Sequence, residues 1–302
     1  MVNPMKTYRT YNETRYATLY AWHVQCLQFL LIFFLFHGID VSGLPSYAPA
    51  PTMKLIILAA GYATRLYPLT LDQPKPLLPV AGRPMVDHVL ASLGVIDAID
   101  EAFVVTNEKF AGHFEAWAGS RDTSGFAAPV HVVNDHSTGD DNKLGAIGDL
   151  HLVLRSRNID DDVVVVAGDN LFSDTLGDYG RLCAEKNAPV LGVYDVGSLE
   201  EATKFGVVES DANGCIRSFE EKPAAPKSTL IGIALYHYPK VVLPLIGQYI
   251  DDGNNPDQPG RLIQWLYPQM PVYTWSVPGT WYDIGSKETL EEADRIFSAN
   301  QA

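Results

Sequence analysis

Two kinds of hydrophobic pattern alternate along residues 53–302. Short unbroken apolar runs occupy Lys54–Leu58, Ala102–Thr106, Val130–Val133 and the valine-rich stretch from Val163 to Ala167. Without polar alternation, such runs read as strands covered on both faces. Between them, apolar residues recur every three or four positions, predicting helices over 84–93, 144–154 and 175–186. In the first of these, Met85, Val86, Val89, Leu90 and Leu93 share one face, and Gly94 stands where a helix would end. With a further strand at 190–196, the rhythm predicts a doubly wound, mainly parallel, Rossmann-like α/β sheet. Ser198-Leu199-Glu200-Glu201 has the capping-box form that opens a short helix.

After Phe205 the rhythm changes. Gly206 to Glu209, an Asn213-Gly214 turn and Cys215 to Phe219 read as a β-hairpin. Strands at 230–238 and 272–277 follow, with helices near 239–250, 261–267 and 286–297. Nothing in 53–302 reads as a linker, so one domain is expected, with a β-rich half inserted in it.

Residues 1–52 differ from the rest. Lys6, Arg9 and Arg15 precede an apolar run from Cys26 to Phe36, and Pro45, Pro49 and Pro51 follow. The run has the length of a signal-peptide core and is short for a bilayer span. Met53 stands immediately before the first core strand. Residues 1–52 are therefore expected to be a disordered leader or a mis-assigned N-terminal extension, outside the fold.

At 302 residues, 47% hydrophobic and 19% charged, the chain has the composition of a globular protein with a large core. A net charge of −14 argues against nucleic acid or an anionic membrane as partner. Against that background residues 54–83 carry a local +3, which suits a small anionic substrate held by a few placed cations. Three scattered cysteines suggest neither a disulfide framework nor a zinc site and fit a reducing compartment.

The chemistry concentrates where the first strand ends. Leu58-Ala59-Ala60-Gly61-Tyr62-Ala63-Thr64-Arg65 turns an apolar run abruptly into small residues, whose backbone N–H groups can approach an anion. Arg65 and, ten residues on, Lys75 between Pro74 and Pro76 add two cations. Alone, the loop reads equally as a phosphate cradle or an ordinary βα turn. Asp169 follows Gly168 at the carboxyl end of the valine strand, as a loop cap or a metal ligand. Asp283, in Trp281-Tyr282-Asp283-Ile284-Gly285, reads alone as a turn residue.

Taken together, Leu58 to Pro79, Gly168-Asp169-Asn170 and Trp281-x-Asp283-x-Gly285 resemble the motifs of the sugar-phosphate nucleotidyltransferases. In that family a leucine and small residues lead into Gly-x-Gly-Thr-Arg-Leu and then Pro-Lys-x-Leu. Ala63 stands in place of the second glycine. The resemblance covers roughly 53–297. It implies Arg65, Lys75 and Asp169 as catalytic residues, and Asp169 with Asp283 as ligands of Mg²⁺. It further implies nucleotide binding by Leu58, Ala60, Gly61, Ala63 and Thr64, with Asn134 and Gly145 as candidates for the base pocket.

The β-rich half carries the sugar side of the resemblance, in Phe205-Gly206-Val207-Val208 and Glu220-Glu221-Lys222-Pro223. Gly206 would let the backbone approach a sugar, Glu221 would accept from its hydroxyls and Lys222 would meet its phosphate. Trp281 would stack on the ring or simply belong to the core. The implied reaction joins dTTP or UTP to a sugar 1-phosphate, glucose 1-phosphate first, in the cytoplasm, releasing pyrophosphate. Phosphocholine as acceptor and a silent nucleotide-sugar-binding subunit are the rival readings; a homo-oligomer is left open.

Overall fold

The valine run of Asp162–Ala167 lies in the middle of the main sheet because every residue from Val163 to Val166 is buried on whichever face it points to. In the computed structural model, residues 52–299 are described, and they belong to one compact unit, Ala50–Ala302. The expectations for 1–51 and for the Cys26–Phe36 run lie outside the described residues. Among those described, no helix is long and apolar enough to cross a membrane.

The strands in chain order are β1 (Met53–Leu58), β2 (Pro79–Val80), β3 (Arg83–Pro84), β4 (Ile99–Thr106), β5 (Val130–Asn134), β6 (Asp162–Ala167), β7 (Asn170–Phe172), β8 (Val190–Asp195), β9 (Gly206–Ser210), β10 (Ile216–Glu221), β11 (Leu230–Tyr238), β12 (Tyr273–Ser276) and β13 (Trp281–Asp283). The main sheet runs β10-β9-β11-β6-β1-β4-β5, with β8 on β11 and β12 on β8. From β6 to β5 all pairing is parallel, the doubly wound half expected from the alternating pattern. β11 runs antiparallel to β6 and joins it to the β-rich half, whose β9–β10 hairpin forms where the Asn213-Gly214 turn predicts it.

Leu55 and Ile57 point into one apolar layer with Val86, Val89 and Leu90; Ile56 points into the other with Ile147, Leu150 and Val153. Helices thus cover both faces of β1. Ile57→Ala, at a fully buried position between β4 and β6, is expected to cost about 2–5 kcal/mol. A urea titration monitored by circular dichroism measures it, and a loss below about 1 kcal/mol would place Ile57 outside the close-packed core.

Five elements were not legible in the pattern. The helix Ala111–Ser120 was missed because only Phe114 and Trp117 are buried along it. β2 and β3 have two residues each, and β7 and β13 three, too few to show a period. The prolines around Lys75 do not exclude helical turns. Lys75–Leu77 is a short 3-10 turn with Pro76 near its start, where a missing N–H costs nothing.

Candidate active site

β1, β4, β5 and β6 all run the same way, so their carboxyl ends gather Leu58, Thr106, Asn134 and Ala167 at one edge of the sheet. That is where open α/β sheets hold ligands. The loop after β1 is tied down from both sides. Asn107, fully buried, donates from Nδ2 to the Ala60 carbonyl at 2.8 Å, and Thr70 Oγ1 donates to the Ala63 carbonyl at 2.8 Å. Ala63 itself takes the left-handed conformation, φ 48° and ψ 44°, that a glycine would adopt more cheaply. The loop therefore keeps a glycine's shape without the glycine, and the turn Thr64–Leu66 follows it, with Leu66 buried and Arg65 exposed.

Gly168 explains how Lys75 reaches the site. A side chain there would collide with Pro76 at 3.0 Å and Ile57 at 3.2 Å. Its absence lets the Lys75–Leu77 turn lie over the end of β6. Lys75 Nζ then meets Asp169 Oδ2 at 2.5 Å.

Asp283 arrives by a separate route. β13 pairs antiparallel with β7, Trp281 opposite Phe172 and Asp283 opposite Asn170, one residue from Asp169. Two carboxylates more than a hundred residues apart in sequence are thereby placed side by side. Burial, and then the negative charge of Asp169, hold the Asp283 carboxyl above its ordinary range, while Lys75, Arg65 and Lys222 pull it down. The sequence-predicted charged groups thus converge. Among the described residues no set of three His, Cys, Asp or Glu side chains forms a metal cluster; the carboxylates are a pair.

A cavity of about 920 Å³ opens beside this pair. Arg65, Asp169, Gly206, Glu221, Lys222, Trp281 and Asp283 all line it. Trp281 is 8% exposed and packs its ring against Tyr194 and Phe205, so it forms wall and core together. Gly206 also makes room for its neighbours. The space its side chain would fill is taken by Phe219, at 2.3 Å, and by Glu221 Oε2 at 3.0 Å. Gly260 does the same, since a Cβ there would stand 2.1 Å from Glu221 Oε2. The Glu221 carboxylate is thus lodged against two glycines, and burial lifts its pKa against the charges of Lys222 and Arg261.

The base-pocket candidates lie apart from the cavity lining. Asn134 donates to Glu108 Oε2 at 2.7 Å and accepts from the His136 N–H, an arrangement at the exposed end of β5. Gly145, at φ 78°, opens the helix Ala146–Ser156; a Cβ there would stand 2.7 Å from the 256–257 backbone. Its glycine is required by that close approach. The expected capping box is also half realised. Ser198 Oγ accepts from the Glu201 N–H at 3.5 Å, but the Glu201 carboxylate turns to Lys204 at 2.7 and 2.8 Å on the cavity rim. Sequence reasoning missed Asn107, Tyr194, Tyr236 and the Gln258-Pro259-Gly260 segment, none of which belongs to a local pattern.

An α/β sheet thus gathers paired acids and cations at its strand ends, an arrangement that suits anionic ligands. The nucleotidyl transferase family model matches residues 54–299, and the chain belongs to that family. It is 30% identical to a UTP–glucose-1-phosphate uridylyltransferase of Synechocystis, over 80% of this chain and 63% of that protein. A Sulfolobus acidocaldarius protein, provisionally named a mannose-1-phosphate guanyltransferase, is also 30% identical, over 77% of this chain and 60% of its own. The bifunctional GlmU protein of Methanocaldococcus jannaschii is 28% identical over 81% and 54%. The chain spans between about half and two thirds of the length of these curated relatives.

Among solved structures, a Bacillus anthracis protein provisionally named a glucose-1-phosphate thymidylyltransferase, in complex with sucrose, superposes with a TM-score of 0.69. It is 26% identical, covering 82% of this chain and 96% of that one. A UDP-glucose pyrophosphorylase complexed with UDP-glucose gives the same TM-score at 19% identity, covering 83% and 100%, a likeness of fold.

Proposed function

We propose that this protein transfers a nucleotidyl group from dTTP or UTP to a sugar 1-phosphate, glucose 1-phosphate first, and releases pyrophosphate. The observation that carries this reading is the meeting of Asp169 and Asp283 beside Arg65, Lys75 and Lys222 at the mouth of a cavity with the Glu221 carboxylate in its wall. A phosphate oxygen of the sugar phosphate attacks the α-phosphorus. A new P–O bond forms there, the α–β bridging P–O bond breaks, and pyrophosphate leaves with the electron pair. The attacking oxygen is already an anion, so no general base is required.

The obstacle is charge repulsion between the reactants, and the chain's cations meet it. Arg65 and Lys75 neutralise the triphosphate, and Lys222 holds the sugar phosphate. The backbone from Ala60 to Thr64 supplies N–H groups to the nucleotide, and Leu58 ends the strand that carries them. Asn134 and Gly145 remain the proposed base contacts. Asp169 and Asp283 offer only oxygen donors, and their like charges already disfavour one another, so they fit a hard divalent cation such as Mg²⁺. Such an ion, when bound, supplies positive charge to the transferring phosphates. Substrates of this kind fit a cytoplasmic location.

Pyrophosphate release with all five common triphosphates, each against sugar 1-phosphates and phosphocholine, tests the reading. Turnover with dTTP or UTP and a sugar 1-phosphate supports it. Product from phosphocholine alone would reassign the acceptor, for which Tyr194, Phe205 and Trp281 offer aromatic surface. Triphosphate binding without product would make the protein a regulatory binding subunit. Gly260→Ala is a finer probe, because its methyl must displace the Glu221 carboxylate. It is expected to raise KM for the sugar phosphate about tenfold, with KM for the triphosphate unchanged; equal effects on both would remove Glu221 from sugar recognition.

A further inference from the structure

We infer that Gln258 is a specificity-determining residue of the acceptor cavity, presenting an amide donor that reads one sugar hydroxyl together with Glu221. The inference rests on the sugar-phosphate reading above. Gln258 lines the cavity, and its Oε1 accepts a hydrogen bond from Arg261 Nε at 2.7 Å. The guanidinium has donors only, so the atom facing it is the amide oxygen and the Nε2 pair of donors is left for other partners.

The segment carrying Gln258 is held in place before any ligand arrives. The N–H groups of Ala146 and Ile147, at the start of their helix, donate to the carbonyls of Asp257 and Pro256 at 3.2 and 2.9 Å. Lys143 Nζ pairs with Asp257 at 3.0 Å, and the absent side chain of Gly145 lets the two backbones touch. On the far side, Gly260 receives the Glu221 carboxylate. A fixed donor therefore stands two residues from the glycine that seats a fixed acceptor. A hydroxyl satisfies such a pair, since it donates to the carboxylate and accepts from the amide. Neither a quaternary ammonium group nor a hydrogen in place of the hydroxyl does both.

The test measures kcat/KM of wild type and Gln258→Ala with glucose 1-phosphate and its 2-, 3-, 4- and 6-deoxy analogues, at a fixed saturating triphosphate. Wild type is expected to discriminate against one analogue by about tenfold or more. Gln258→Ala is expected to lose that discrimination at the same position while keeping it at the others. A merely structural role would lower every analogue alike and leave the ratios unmoved, which would overturn the inference while the activity stood. If wild type turned over no sugar 1-phosphate, the assigned reaction and the role of Gln258 would fall together. Gln258→Glu supplies a second arm: exchanging donor for acceptor beside Glu221 should depress kcat/KM at least as far as alanine does, and a value equal to wild type would also overturn the inference.

Discussion

Asp283→Asn is expected to lower turnover by about 10²- to 10³-fold, with the fold intact. The substitution keeps the shape of a side chain wedged at the end of the β7–β13 pair and removes one charge. Burial and Asp169 already disfavour the Asp283 anion, so the variant should be no less stable than wild type, and thermal melting checks this. Asp169→Asn should be as inactive and in addition frees Lys75 from its 2.5 Å ion pair. Steady-state pyrophosphate release across a Mg²⁺ titration is the measurement. If either variant kept turnover within about threefold of wild type at saturating Mg²⁺, the pair would not be holding the ion.

The second large effect concerns stability. Asp149, in the helix Ala146–Ser156, is 5% exposed, and its Oδ1 has no hydrogen-bond partner. Burial, followed by the neighbouring Asp135 carboxylate, pushes its pKa from 3.8 up to about 8, and the protonated form donates to Asp135. Asp135 is itself pinned by the Ser137 N–H at 2.7 Å and its hydroxyl at 2.9 Å. Between pH 4 and 8 the native state therefore holds a proton that the unfolded chain releases. Stability from this group is complete below pH 4 and is lost as pH rises through 8. At about 1.4 kcal/mol per unit, the loss is on the order of 5 kcal/mol.

Asp149→Asn carries the hydrogen of the protonated acid permanently. It is expected to flatten the decline, raising the urea midpoint above wild type at pH 8 while leaving it nearly equal at pH 4. Parallel profiles of the two proteins would mean that Asp149 is ionised in the native state.

Much of this molecule could be read from local sequence, because local sequence is what controls it. Apolar runs such as Val163–Val166 announce buried parallel strands, and Asn213-Gly214 announces a hairpin. Arg65, Lys75 and Asp169 stand close to strand ends that any doubly wound sheet collects at one edge. The small residues after Leu58 likewise signal a loop for close approach, and Ala63 shows that tertiary contacts can impose a glycine conformation without a glycine.

Only tertiary structure decided the partnerships. Asp283 reads alone as a turn residue, because the ladder that sets it opposite Asn170 has three residues and no detectable period. Gly206 and Gly260 stand far apart in sequence, and nothing local shows that they leave one space for Glu221. Asp149 looks like a polar residue on an amphipathic helix until β5 brings Asp135 against it. Local pattern specifies strands and helices because it fixes which face must leave water. It cannot specify which distant side chains share a charge, a cavity or a proton, since that follows from how the faces pack.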